Sequence, residues 1–160
     1  MYVLQSFAAD HAGIELAAIL TPEALAQLPQ TRVDCITATT TRGYWATSIP
    51  KDQFLPGADL SAVLAIAAAN EPGALAIPAP VLIAQGGSDD TVMPAWTDAV
   101  VRAMCGLGDG VFYTVHPDET HETVVAQAAA QAGAWIDARF AGAAAAGNCD
   151  ALPTAAGSAR

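Results

Sequence analysis

The chain has 160 residues, 53% of them hydrophobic, with 6 basic against 16 acidic side chains and a formal net charge of −10. That length suits one domain, and the densest apolar stretch, residues 62–69, is far short of the ~18 to 20 residues a membrane-spanning helix needs. Lys51 is the only lysine and the arginines are scattered singly, so there is no basic stripe to release counterions from a phosphate backbone, which argues against nucleic acid as a partner.

The N-terminal Met1-Tyr2-Val3-Leu4 has neither a basic region nor a cleavage signal, so no export address is expected within these residues. Residues 7–20 predict a helix with Phe7, Ile14, Leu16, Ala17 and Leu20 on its apolar face, weakened by Gly13. Thr21-Pro22-Glu23 predicts the start of a second: a capping hydroxyl, a proline at the first helical position and an acid in the first turn. Leu25 and Leu28 supply its buried side before Pro29. Over residues 31–56 periodicity lapses into Thr, Gly, Pro and isolated aromatics (Tyr44, Trp45, Phe54), which predicts a long irregular segment, with residues 31–49 the place where further strands would have to hide.

The second half is more regular. Asp59 or Ser61 opens a helix through Ala69, stopped by Asn70-Glu71-Pro72-Gly73. Val81-Leu82-Ile83-Ala84 is short, apolar and unalternating, the pattern of a strand buried on both faces, and Gln85 to Asp90 follow as a polar loop. Pro94 begins a helix with Trp96, Val100, Val101 and Met104 at helical spacing, ending at Cys105-Gly106. Val111 to Val115 form a second strand and His116 to Thr120 a loop. A long helix over residues 121–140 then places Val124, Val125, Ala128, Trp135, Ile136 and Phe140 inward, and the Ala/Gly-rich remainder is expected to fray.

Strand, helix, strand, helix predicts an α/β fold with two parallel strands, few for a sheet of that kind. In such sheets functional groups gather on the loops at the carboxyl ends of the strands. The first of these loops carries Asp89 and Asp90, the second His116, Asp118, Glu119, His121 and Glu122. A carboxylate that accepts the Nδ1 proton of a histidine fixes its tautomer and stabilises the imidazolium formed when the ring takes a proton from a nucleophile. The same acids also suit solvated helix caps. His116, Asp118, His121 and Glu122 have donor types suited to a metal, but their spacing matches no zinc pattern.

Pro80-Val81-Leu82-Ile83-Ala84-Gln85-Gly86, then Asp89, Val92 and Pro94, Cys105-Gly106, the second strand, His121 and Ala134-Trp135-Ile136-Asp137-Ala138-Arg139-Phe140-Ala141-Gly142 together resemble the C-terminal half of the secretory lipases of the lipase A type, α/β-hydrolases of bacteria and fungi. The likeness spans residues 70–149 and, more weakly, the part before them. It implies a partial α/β-hydrolase fold: a cap-like helical segment at 1–58, the C-terminal βαβα part of the parallel core at 59–149 and a flexible tail at 150–160. It puts the catalytic acid on Asp89, three residues after Gly86, and the catalytic base on His121. Asp90, which would need Gly87 as the turn glycine, and His116, nearer the strand end, are the rivals; His11 reads as a surface or packing residue.

The implied activity is hydrolysis of a carboxylic ester or lipid, with no cofactor and no metal, by a protein secreted in its full-length form. One departure bears on this. The family's serine sits on a Gly-x-Ser-x-Gly elbow ahead of the acid, and none of Ser6, Ser48, Ser61, Ser88 and Ser158 is flanked by both glycines. The nucleophile is then expected from an N-terminal half outside these residues, from a recruited serine such as Ser88, or from a homo-oligomer that completes the sheet. Under the same resemblance Cys105 pairs with Cys149 and Cys35 is left over; three free thiols are the alternative in a reducing compartment.

Overall fold

The computed structural model describes residues 1–39 and 50–153. Tyr44, Trp45, Ser48, Ser158 and any strand within residues 40–49 lie outside the described residues. The chain divides into two compact units, Met1–Ala69 and Asn70–Arg160.

The first unit is helical: α1 (Tyr2–Asp10), α2 (Leu16–Ile19), α3 (Pro22–Gln27) with a tight turn at Leu28–Arg32, α4 (Ile36–Thr39) and α5 (Ser61–Ala69). The helix expected over residues 7–20 is two helices. Gly13 sits at φ +99°, a left-handed conformation that ends helix propagation, and the His11 N–H closes α1 on the Phe7 carbonyl. α3 begins as its sequence predicts, with the Thr21 hydroxyl accepting from the Ala24 N–H and Pro22 in the first turn. Leu4, Ile14, Ile19, Leu20, Ala24 and Leu28 form the core, with Phe7, Phe54 and the α5 residues Val63 and Ile66 packed against it. Its β-structure among the described residues is one antiparallel bridge, Leu20 to Phe54.

The second unit is a small α/β layer. β1 (Val81–Gly86) and β2 (Val111–His116) pair in parallel, Val81 opposite Val111 and Gly86 opposite His116, and α6 (Pro94–Gly106) connects them. Alternation along the strands gives each face a helix. Val81, Ile83, Val111, Tyr113 and Val115 pack with Val101 and Met104 of α6. Thr114, from the other face, hydrogen-bonds Gln131 of α7 (Thr123–Phe140).

Burial departs from the sequence expectation in three places. Val81 to Ala84 are half-buried rather than buried on both faces, because a strand is fully enclosed only when strands flank both its edges and this sheet has two strands among the described residues. On α7 Ala128 is buried and Val124 and Trp135 are half-buried, whereas Val125, Ile136 and Phe140 are 70%, 47% and 89% exposed, since a sheet two strands wide among the described residues gives an 18-residue helix little surface to cover. Trp96 on α6 is likewise exposed.

The segment after α7 does not fray as far as it is described. Asn148 bonds the backbone of β2, Cys149 forms a disulfide with Cys105, and Leu152 packs against the sheet core. Of the expected tail, residues 154–160 lie outside the described residues. No helix among the described residues is long and apolar enough to cross a membrane.

Candidate acid–base site

The two strands end side by side, and the loops that leave them are locked backbone to backbone. A Cβ on Gly86 would lie 2.5 Å from the Glu119 carbonyl, and one on Gly87 2.6 Å from that of Pro117, so only glycine permits this approach. The Gly87 N–H then donates to the His116 carbonyl at 2.8 Å, the Ser88 N–H to Glu119 at 3.0 Å, and the Ser88 hydroxyl to Pro117 at 3.1 Å.

This clamp sets Asp89 against His121. Asp89 is 6% exposed. Its Oδ1 accepts from the Thr91 and Val92 N–H groups at 2.9 and 2.8 Å, a turn that leads into α6. Its Oδ2 lies 3.1 Å from His121 Nδ1 and also accepts from Gln85 Nε2 at 3.4 Å. His121 is held from its own side by a reciprocal pair of bonds in the turn before α7: the Thr120 N–H donates to the Thr123 hydroxyl and the Thr123 N–H to that of Thr120. α7 begins at Thr123, with Glu122 at its N-cap and no side-chain cap hydrogen bond, two residues later than its sequence pattern predicts. The His121 side chain is 47% exposed against 4% for Asp89.

Burial by itself pushes the Asp89 carboxyl up. The hydrogen bonds from Val92, His121 and Thr91 and the charge of a protonated His121 outweigh it, and the acid sits below the ordinary carboxylate range. An ionised Asp89 only accepts, so His121 Nδ1 carries the proton and, in the neutral ring, Nε2 is left as an acceptor. Among the described residues Nε2 has no hydrogen-bond partner. A half-exposed base backed by a buried, oriented carboxylate is an arrangement able to take a proton from a hydroxyl and return it.

The other sequence candidates lie elsewhere. Asp90 is exposed, beside the acid but outside the pair. His116 ends β2; its carbonyl accepts from Gly87 and Glu119, and its Nε2 is buried without a partner among the described residues. Asp118 is exposed, Glu122 accepts from the Thr120 hydroxyl, and no group of three His, Cys, Asp or Glu side chains among the described residues gathers as a metal site. Ser88 is engaged with Pro117. Ser6 and Ser61 belong to the helical unit. His11 is exposed, edge-on to Phe7. An open apolar groove along Gly73, Trp96, Val100 and Ala103 is lined by none of the site residues.

Two supports of the pair were not singled out from the sequence. The Thr120-x-x-Thr123 pair, two hydroxyls in a polar stretch ahead of an apolar run, is a turn signal that could have been read. Gln85 carried no signal beyond being polar at the end of an apolar strand. No family model matches the chain, and no curated protein and no solved structure matches it.

Proposed function

We propose that the chain carries the acid and base of a serine carboxylic ester hydrolase related to the secretory lipases, Asp89 holding His121 and the nucleophilic serine coming from a part of the protein outside these residues. The observation that supports this most is the 3.1 Å contact between His121 Nδ1 and Asp89 Oδ2, made where two adjacent parallel strands end. In the reaction the serine Oγ attacks the ester carbonyl while His121 Nε2 takes its proton. The imidazolium, stabilised by Asp89, gives the proton to the departing alcohol, and water then hydrolyses the acyl-enzyme by the same route.

The chain by itself holds no Gly-x-Ser-x-Gly elbow, and without nucleophile and oxyanion donors most of the rate enhancement is lost. The Cys105–Cys149 disulfide suits an oxidising compartment and therefore a secreted protein. The apolar helical unit suits the lid or acyl-binding cap of an enzyme for a water-insoluble ester. A fluorophosphonate probe tests the reading: no serine of this chain takes label on its own, and in the longer protein one serine outside residues 1–160 is labelled, a reaction lost in His121→Ala. Labelling of Ser88 instead would overturn it.

A further inference from the structure

Gln85 is the last side chain of β1 before the loop that carries the acid, and it is 5% exposed. Its Nε2 faces three acceptors: the Gly86 carbonyl at 2.8 Å, the Val92 carbonyl at 3.1 Å and Asp89 Oδ2 at 3.4 Å. Its Oε1 accepts from the Thr97 hydroxyl of α6 at 2.5 Å. These contacts fix which end of the amide is which. Turned over, the carbonyl oxygen would meet two carbonyls and a carboxylate, all acceptors, with no donor among them. The nitrogen therefore joins both ends of residues 86–92, and Asp89 stands in the middle of that span.

We propose that Gln85 is the positioning residue of the Asp89–His121 pair: it ties the loop ends together, so that the Thr91 and Val92 N–H groups hold one carboxylate oxygen and the other is aimed at His121 Nδ1. This rests on the acid–base reading of the pair. Thr97 fixes Gln85 in turn, which links the start of α6 to the orientation of the acid. Two protons on Nε2 serve three acceptors, and the longest contact is to Asp89 itself, so the effect runs chiefly through the loop backbone. A buried amide that loses its donor leaves carbonyls unsatisfied, and the loop relaxes to solvate them.

The tautomer of His121 reads this directly, because Asp89 selects the Nδ1–H form, whereas a free imidazole favours Nε2–H. In ¹⁵N-labelled full chain at alkaline pH, the Nδ1–H form dominates in wild type and becomes the minority in Asp89→Asn. Gln85→Glu, equal in shape but without the donor, and Gln85→Met, equal in length but apolar, are expected to lose it as well while retaining the wild-type circular dichroism. If both folded Gln85 variants keep the Nδ1–H form and Asp89→Asn loses it, the inference about Gln85 is overturned and the acid–base pair stands. If Asp89→Asn also keeps it, the pair itself fails. Should neither Gln85 variant fold, wild type decides: slow exchange of the Gln85 amide protons with cross-peaks to Val92 and Thr97 supports the role, and fast exchange without them overturns it.

Discussion

Asn148 caps the outer edge of β2 at Tyr113: its side-chain amide accepts from the Tyr113 N–H and donates to the Tyr113 carbonyl, each at 2.8 Å, while its own N–H donates to the Val111 carbonyl. One residue thus does what a neighbouring strand would do. Strand addition at that position is blocked, as edge protection requires. Parallel pairing turns alternate residues outward, so on β1 it is Leu82 and Ala84 that point their backbone groups away from β2; among the described residues these have no hydrogen-bond partner. Any growth of the sheet is therefore directed to the β1 side.

Asn148→Ala removes the acceptor and donor that satisfy Tyr113. The expected cost is about 1–3 kcal/mol of unfolding free energy, the usual penalty for buried backbone groups left unpaired. A lowered urea midpoint with an unchanged slope would show it, and an unchanged midpoint would show that water serves Tyr113 equally well.

The cysteines divide two to one. Cys105 and Cys149 are bonded across 44 residues of sequence, with their Cα atoms 5.6 Å apart, and Cys35 is exposed and free. Alkylation of the native protein without reductant should modify one thiol by mass, and reduction first should modify three. Closing a loop of that size contributes about 4 kcal/mol in the chain-entropy account, so Cys105→Ser with Cys149→Ser is expected to lower stability by a comparable amount.

Gly86→Ala tests the loop clamp. A methyl group there meets backbone, the Glu119 carbonyl at 2.5 Å, and backbone yields less readily than a side chain. The loops should separate at a cost of about 1–3 kcal/mol, and the Asp89–His121 hydrogen bond should go with them. A structure of the variant with that contact intact would contradict the clamp.

Two groups give stability a pH dependence of opposite sense. Asp89 titrates below its ordinary value in the fold, so its contribution is present above the unfolded-state pKa of about 3.9 and is lost as pH falls through the lowered folded value. Tyr113 is raised, by burial first, then by donating to Asp98 at 2.6 Å and by that carboxylate's charge, against a smaller opposing effect of Arg102. Its contribution is present below the unfolded-state pKa of about 10 and declines as pH rises above it. Asp89→Asn should flatten the acid limb of a stability profile and Tyr113→Phe the alkaline limb, the latter also costing about 1–3 kcal/mol at neutral pH because buried Asp98 loses its donor.

Much of the second unit was legible because its signals are local. Pro94 fixes the start of α6, the β-branched run fixes β1, and the sequence order of Asp89 and His121 places them on adjacent strand ends. What escaped was set by tertiary contact. Val125 and Phe140 fit an inward stripe on α7, and nothing in residues 121–140 announces that the sheet beneath is narrow. Asn148 reads as loop in an Ala/Gly tract, although three hydrogen bonds make it part of the sheet. The break at Gly13 was visible as a weak residue, but apolar spacing on both sides of it favoured one continuous helix.

The central claim, that His121 is the base of an ester hydrolase and Asp89 its acid, is tested most directly by p-nitrophenyl ester hydrolysis in the longer protein that the proposal requires as the source of the serine. The account predicts that His121→Ala lowers kcat by about 10⁴-fold or more with little change in KM, that Asp89→Asn is also severe, and that His116→Ala and Asp90→Asn leave turnover near wild type. Full activity in His121→Ala, or hydrolysis by the 160-residue chain alone that depends on Ser88, would contradict it.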